Sequence, residues 1–175
     1  RSLGILTMLH GDDKGLIMPP RVAPIQIIIV PILIEKYKEK IFKQCLKLKE
    51  ELSDFSVEID SRESYSPGWK FNEYELKGVP LRIELGPRDI ENHQVVLVRR
   101  DINEKINVKI SKVKESAKKI LEEIHDNLLK RAKDFLKKNT IEVSKFEEVI
   151  KAVNDKKLVK AFWCQKKECE DKIQE

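Results

Sequence analysis

A proline-stiffened connector that runs straight into a β-branched segment constrains this chain more than any other feature. Residues 15–24 contain three prolines. Each proline fixes its own φ angle and restricts the residue before it, so this stretch is expected to be an extended linker. Residues 25–33 read IQIIIVPIL, which predicts a central strand with both faces covered. The pattern is typical of a boundary where one domain ends and an α/β domain begins.

Helices and strands alternate after this linker. Residues 35–52 place apolar side chains three or four positions apart, which predicts an amphipathic helix. Residues 57–60 alternate between apolar and acidic side chains, as a short strand does. A second helix is predicted to begin with Ser66 as N-cap and Pro67 at its first position, and to end at Gly78.

The polar positions of the next strand are the first candidates for a functional site. Residues 81–85 alternate apolar side chains with Arg82 and Glu84, which predicts a strand with one apolar and one polar face. The remaining elements are a turn over residues 86–89, strands over 95–100 and 105–110, a long helix over 111–140, a helix capped by Ser144, and a strand over 158–163.

The order of these elements predicts the fold class. The main domain reads β-α-β-α-β-β-β-α, which predicts an α/β fold with parallel strand pairs and helices on both faces of the sheet. The last strand-to-strand connection is too short for a crossover, so that pair is expected to be antiparallel. The result is a mixed five-stranded sheet, followed by a small α+β module.

The charge distribution permits a polyanionic partner without demanding one. The chain of 175 residues carries a formal charge of +5. Residues 112–140 contain nine Lys or Arg against five acidic residues, so this helix supplies most of the excess. The pattern fits either a solvated helix face or a surface that follows a nucleic-acid backbone.

Cysteine usage and hydropathy predict a cytoplasmic protein. The chain has three cysteines, no signal peptide pattern and no apolar run of membrane-spanning length, so no membrane association is expected. It begins on Arg1 without a methionine, which favours a partial chain.

Several runs together resemble prolyl-tRNA synthetases, in the eukaryotic and archaeal form of that family. They are residues 10–24 (HGDDKGLIMPPRVAP), residues 68–89 (GWKFNEYELKGVPLRIELGPRD), residues 98–101 (VRRD), and Phe162-Trp163-Cys164 with Cys169-Glu170. The runs occur in the family's order and cover nearly the whole chain. The resemblance implies four segments: the end of a class II catalytic domain with its linker (1–24), the anticodon-binding domain (25–110), a connecting helix (111–140) and part of a zinc-binding-type domain (141–175).

The resemblance implies a proline–tRNA ligase, which activates proline with ATP and Mg²⁺ and transfers it to the proline tRNA, tRNA(Pro). Arg1 takes the place of the family's motif 3 arginine, which contacts the ATP triphosphate, a role suited to a planar and permanently charged guanidinium. Motifs 1 and 2 and the proline pocket are absent from this chain. It is therefore not expected to activate proline alone, and the intact enzyme is expected to be a homodimer.

The same resemblance implies that a polar cluster contacts tRNA. Proline anticodons carry guanine at the second and third positions, and one carboxylate can accept both N1–H and N2–H of an unpaired guanine. Glu84 and Asp89 are the expected readers, whereas the arginines are expected to contact phosphates or the acceptor edge of guanine. The full set is Arg82, Glu84, Arg88, Asp89, Arg99 and Arg100. The alternative for these residues is a surface strand with cross-strand ion pairs.

Aromatic residues on the second helix have two interpretations. Phe71 and Tyr74 either stack on splayed bases or pack in the core, and at least one is expected in the core. Trp69 is expected to be structural. The acidic turn with Asp12 and Asp13 is expected to tie two domains together rather than to bind a metal.

The cysteines divide into two groups. Cys45 lies on the apolar stripe of the first helix and is expected in the core. Cys164 and Cys169 are spaced to hold one Zn²⁺ as a half-site, but a structural zinc site uses four ligands. Two unligated thiols are the alternative.

Two further interpretations of the whole chain stay open. One is a non-catalytic RNA-binding module related to synthetase anticodon-binding domains. The other is an α/β interaction domain with a basic surface and no RNA partner. Class II motifs 1 and 2 upstream in the same reading frame would favour the ligase.

Overall fold

The computed structural model describes residues 1–174. The chain divides into two compact units, Arg1–Leu129 and Lys130–Glu175, and the division falls inside a long helix. The first unit holds the sheet, and the second is a small α+β module.

A helix and a small hairpin open the first unit. Helix α1 spans Ser2–His10, and strands β1 (Gly11–Asp12) and β2 (Gly15–Leu16) pair antiparallel. A 3-10 turn over Pro20–Val22 follows. The hairpin packs closely on Gly78, the C-cap of the helix Pro67–Lys77. A Cβ added to Gly78 would lie 2.7 Å from Leu16. Gly78 also has a φ of 74°, which favours glycine.

The predicted mixed five-stranded sheet is confirmed. Its strands are β3 (Ile27–Pro31), β4 (Val57–Ile59), β5 (Leu81–Leu85), β6 (Gln94–Arg99) and β7 (Lys105–Lys109). Their order across the sheet is β4-β3-β5-β6-β7. Strand β3 is parallel to both β4 and β5, and the other pairs are antiparallel, which confirms the prediction for the last pair, β6 with β7.

Helices cover both faces of this sheet. The helices are α2 (Lys38–Glu51), α3 (Pro67–Lys77), α4 (Pro87–Glu91) and α5 (Val113–Lys138). Helices α2 and α5 pack on the face that carries Ile27, Ile29 and Ile83, which forms the main core. Helix α3 packs on Ile28 and Val30 of the other face. Because β3 is covered on both sides, its β-branched run is wholly buried.

The local signals of helix α3 are confirmed. The Ser66 hydroxyl accepts a hydrogen bond from the Trp69 amide at 3.3 Å, Pro67 occupies the first position, and Gly78 ends the helix in a left-handed conformation. Such caps depend only on neighbouring residues, so the sequence carries them directly.

Four local predictions are wrong in detail. Residues 86–89 open helix α4 rather than a turn, because the Asp89 carboxylate accepts the Gly86 amide at 2.9 Å and starts the helix. Strand β5 has the predicted apolar and polar faces, and its polar face is buried because β5 lies at the centre of the sheet. Strand β3 spans Ile27–Pro31 rather than residues 25–33, and the Gln26 side chain before it accepts a hydrogen bond from the Ser56 amide.

The other two corrections concern the second unit. Its elements are β8 (Thr140–Glu142), α6 (Phe146–Asn154), β9 (Leu158–Lys160) and α7 (Lys167–Gln174). Lys145, not Ser144, is the N-cap residue of α6. The Glu148 carboxylate accepts both of their amides at 3.3 Å. Strand β9 is shorter than predicted because its parallel partner β8 has three residues.

Across residues 1–174, no helix combines the length and apolar character that crossing a membrane requires.

Candidate nucleic-acid interface

Part of one sheet face is left open beside helix α3. Helix α3 packs on β3, whereas β6 and β7 extend the same face beyond it. The strand register places Val96 beside Glu84 and Asn107 beside Val96. We call the surface formed by Glu84, Gln94, Val96, Lys105, Asn107 and Lys109 the open face. Lys105, Asn107 and Lys109 are exposed, and Glu84 lies buried at its inner edge.

Arg82 organises a cluster of charged side chains at the inner edge of the open face. Its Nε and Nη2 lie 3.1 and 3.0 Å from Oε1 of Glu84, and its Nη1 lies 3.1 Å from Oε1 of Glu75 on α3. Lys105 Nζ lies 3.3 Å from the other oxygen of Glu84. We call Glu75, Arg82, Glu84 and Lys105 the Arg82 cluster.

Phe71 contacts the Arg82 guanidinium, and Tyr74 of the same helix packs in the core. The Arg82 guanidinium lies 4.4 Å from the centroid of the Phe71 ring, a cation–π contact that fixes the plane of the guanidinium. Phe71 is half-buried, and Tyr74 is buried in the small core under α3. The prediction that at least one of these two aromatics packs in the core is confirmed.

The Arg82 cluster has the chemistry of a base-recognition site. It holds two carboxylates close to an arginine, and its one exposed member is Lys105, whose side chain is 60% exposed. An ion pair with a flexible exposed lysine is weak, so a ligand can exchange with Lys105 at the Glu84 carboxylate at little cost. Unpaired bases that lie on a sheet face present the hydrogen-bonding edges that such a carboxylate accepts.

Arg88 and Asp89 lie just beyond the carboxyl end of β5, in helix α4. Arg88 is exposed, whereas Asp89 is half-buried and holds the Gly86 amide. An ionised carboxylate has about four acceptor sites, so this bond leaves Asp89 capacity for a further donor. Asp89 therefore has a structural role in addition to any role in recognition.

Arg99 lies on the opposite face of the sheet from the Arg82 cluster. It follows Val98 in β6, pairs with Leu81, and binds Asp101 through two bonds of 3.1 and 3.0 Å and Glu123 of α5 at 2.8 Å. Burial alone would lower the pKa of Arg99, but the bonds to Asp101 and the charges of Asp101, Glu123 and Glu104 raise it above its ordinary value. This geometry favours bracing α5 against the sheet over contact with a phosphate.

Arg100 ties the Arg82 cluster to the N-terminal hairpin. Its Nη1 and Nη2 bind both carboxylate oxygens of Asp12 at 2.8 and 2.6 Å, and its Nε binds the backbone carbonyl of Glu75 at 3.0 Å. The hydrogen bond from Arg100 lowers the pKa of Asp12 to about 2. Asp12 thus ties the hairpin to the sheet within the first unit.

Arg1 and the three cysteines, which were considered for other roles, lie outside the Arg82 cluster. Arg1 is exposed and precedes α1, which has no buried residue. Cys45 is fully buried, as predicted, and burial raises the pKa of its thiol to about 12. Cys164 and Cys169 are exposed and hydrogen-bonded to each other, which lowers the pKa of Cys164. Among residues 1–174, no group of three or more His, Cys, Asp or Glu side chains is arranged to hold a metal.

Sequence reasoning missed Glu75, Lys105, Asn107 and Lys109. The three β7 residues alternate with Ile106 and Val108, so the alternation itself marks them as one polar face of a strand. Glu75 had no such signal, because its place depends on how α3 packs against the sheet.

Comparison with known proteins matches residues 26–120 to the family described as "Anticodon binding domain". Three similar proteins are a proline–tRNA ligase of Natranaerobius thermophilus, at 45% identity, a proline–tRNA ligase 2 of Bacillus cereus strain ATCC 10987, at 46%, and a proline–tRNA ligase of Alkaliphilus oremlandii, at 46%. The matches cover 99–100% of this chain, which spans 36–37% of the length of these relatives.

Proposed function

This chain belongs to the anticodon-binding domain family, and we propose that it is the part of a proline–tRNA ligase that recognises the anticodon of tRNA(Pro). The observation that carries the proposal is the Arg82 cluster beside an open sheet face. All four residues of the cluster lie inside the matched region. The similarity to ligases over the whole chain, including its parts outside residues 26–120, favours a synthetase over a free-standing RNA-binding module.

In the proposed complex, an anticodon guanine turns its Watson–Crick edge to the Arg82 cluster. Glu84 accepts the guanine N1–H and N2–H and releases Lys105, which now contacts Oε2 of Glu84 at 3.3 Å. The released ammonium meets guanine O6 or a nearby phosphate. Arg82 keeps Glu84 ionised and in place, and Glu75 holds the other side of Arg82.

The second guanine is assigned to the carboxyl end of β5. There Asp89 is the acceptor and exposed Arg88 the cation for phosphate or for the guanine acceptor edge. Arg99 and Arg100 brace the site through their ion pairs, and Lys109 and Asn107 extend the contact surface along β7.

The rest of the ligase function is proposed for the intact protein. ATP with Mg²⁺, proline and a homodimer partner belong there, with Arg1 as the arginine that contacts the triphosphate. The chain alone does not activate proline, since its sequence lacks the residues that would position ATP and proline together. We assign the protein to the eukaryotic and archaeal form of the family on residues 68–89 and 162–164, and place it in the cytoplasm.

The thiol pair is proposed as half of a zinc site. Cys164 and Cys169 already contact each other, and a lowered thiol pKa favours the thiolate that zinc binds. A structural zinc takes four ligands, so this pair supplies two of the four.

The proposal is tested with two RNA fragments of tRNA(Pro). We expect the anticodon stem-loop to retain most of the affinity of the whole tRNA for this chain, and the acceptor minihelix to bind at least tenfold more weakly. Fluorescence anisotropy of labelled RNA measures both. Equal affinity for the two fragments would contradict anticodon recognition and leave a general basic surface.

A further inference from the structure

The structure has a crevice of about 350 Å³ at the carboxyl end of β3, where successive crossover connections lie on opposite faces of the sheet. From β3 the chain runs through α2 on one face to β4, and from β4 through α3 on the other face to β5. Such a switch in direction opens a crevice outside the carboxyl ends of the strands, which is where open α/β sheets bind ligands. The crevice is lined by Pro31 and by the loop between β4 and α3.

One wall of the crevice is a preorganised aromatic platform. Tyr65 lines the crevice and is 41% exposed. Trp69 stacks on the Tyr65 ring with centroids 3.9 Å apart and planes at 14°, and the Arg62 guanidinium lies 5.0 Å from the same ring. Arg62 is itself held by Asp60 and Glu73. The ring is therefore fixed before any ligand arrives, which lowers the entropic cost of stacking.

Cations outnumber carboxylates in the lining of the crevice. Among the side chains that the structure describes, Lys38, Arg62 and Lys70 line the crevice together with one carboxylate, Glu63. Lys70 is 2% exposed, and its ammonium meets Asp60 through the backbone carbonyl at 3.1 Å and the carboxylate at 3.5 Å. An ammonium has three donors, so this leaves one for a ligand in the crevice. Burial would raise the pKa of Asp60, but bonds from Arg62 and the charge of Lys70 lower it to about 2.

A fixed aromatic ring, three cations in the lining and a volume of this size fit a nucleotide. We propose that this crevice binds one nucleotide unit, with its base on Tyr65 and its phosphate beside Lys38 and Lys70. Aromatic rings bind bases of any sequence by stacking, and lysines supply the phosphate contact. A pocket of about 300 Å³ or more is of the size that encloses a small ligand.

Strand β3 links the crevice to the strand that carries Glu84, and we assign the nucleotide to the same bound RNA. Val30 of β3 pairs directly with Glu84, and the next residue, Pro31, lines the crevice. A strand of RNA with a guanine on Glu84 therefore reaches the crevice with a neighbouring nucleotide. This assignment of the source rests on the proposed function, whereas the nucleotide site itself does not.

The test uses variants that leave the buried ion pairs intact. Tyr65→Ala removes the platform. Lys38→Met removes a cation that pairs with Glu63 at 2.7 Å. Lys114 pairs with Asp54 at a similar distance, 2.6 Å. Lys114→Met is therefore the control. Calorimetry measures binding of free guanosine 5′-monophosphate and of guanosine, and anisotropy measures binding of the tRNA(Pro) anticodon stem-loop.

The proposal predicts that the monophosphate binds more tightly than the nucleoside and that Lys38→Met abolishes this difference. It also predicts that Tyr65→Ala weakens the stem-loop by roughly fivefold or more, whereas Lys114→Met leaves both ligands unchanged. Glu63→Gln is expected to strengthen binding of the monophosphate, because it removes a carboxylate that lines the crevice.

The outcomes separate this site from the proposed function. If the monophosphate binds and the stem-loop does not, the crevice is a site for free nucleotides and anticodon recognition fails. If the stem-loop binds, and Tyr65→Ala and Lys38→Met change neither ligand, the crevice is overturned while anticodon recognition stands. Binding of neither ligand overturns both.

Discussion

Arg82 binds one carboxylate oxygen of Glu84, two residues along the central strand, through two of its nitrogens. Its Nε and Nη2 lie 3.1 and 3.0 Å from Oε1 of Glu84. Both side chains are over 90% buried, so neither charge is fully hydrated. Each partner therefore depends on the other, and the pair serves the stability of the sheet as well as recognition.

Glu84→Ala is expected to destabilise the first unit. It leaves the buried Arg82 with Glu75 as its remaining carboxylate, and removing one member of a buried pair costs up to about 3–5 kcal/mol when no other partner remains. Because Glu75 persists, we expect a loss of about 2–3 kcal/mol in the free energy of unfolding. Urea unfolding followed by circular dichroism measures it. Glu142→Ala is the control, because its pair with Lys160 is exposed, and an equal loss there would contradict the account.

Lysines of the open face are expected to contribute more to RNA binding than lysines of helix α5. Lys105 and Lys109 lie on the open face, whereas exposed Lys118 belongs to the helix layer across the sheet. Lys105→Met and Lys109→Met should each weaken binding of the anticodon stem-loop and reduce the salt slope by about 0.7–0.9. Lys118→Met should leave the slope unchanged. A larger effect at Lys118 would place the RNA on the long helix instead.

The Asp12–Arg100 pair predicts a pH dependence of stability. The bond from Arg100 holds the pKa of Asp12 at about 2 in the folded chain, below its ordinary value of 3.8. The contribution is therefore fully present above pH 4 or so and is lost as the pH falls through about 2. Asp12→Asn should lower the unfolding free energy at pH 7 but not at pH 2. Exposed Asp13→Asn is the control, and a difference that persists unchanged at pH 2 would contradict the pairing.

The three cysteines are expected to differ in reactivity. Cys45 is buried, with its pKa raised to about 12, and Cys164 and Cys169 are exposed. A thiol reagent at pH 7.5 should modify two thiols rapidly and the third after unfolding. Zinc should slow modification of both exposed thiols, and Cys164→Ser should remove that protection. Protection that survives Cys164→Ser would remove this pair as a zinc half-site.

The sequence was sufficient for features that depend on neighbouring residues. The cap at Ser66, the left-handed Gly78 and the antiparallel β6–β7 pair follow from local chemistry and short connections. The fold class follows from the order of the elements. Helix α4 was missed because the sequence GPRD is also typical of a turn. The helix begins there because the Asp89 carboxylate accepts a hydrogen bond from the Gly86 amide.

The candidate site was predicted in part, because its composition depends on which faces meet. The sequence named Arg82 and Glu84 together, but Arg99 lies on the opposite face and Glu75 arrives from a packed helix. The Arg100–Asp12 pair joins residues 88 positions apart. Pairing over such a distance leaves no periodic signal in the sequence, so only the folded chain reveals it.

The most direct test compares tRNA(Pro) with the same tRNA in which both anticodon guanines are replaced, using the unmodified chain, Glu84→Gln and Asp89→Asn. Each substitution keeps the side-chain size and one carbonyl oxygen but turns a donor toward the guanine N–H groups. We expect the unmodified chain to prefer the guanine anticodon at least tenfold, and each variant to lose most of that preference without losing affinity for the altered tRNA. Equal affinities of the unmodified chain for the two tRNAs would contradict anticodon recognition.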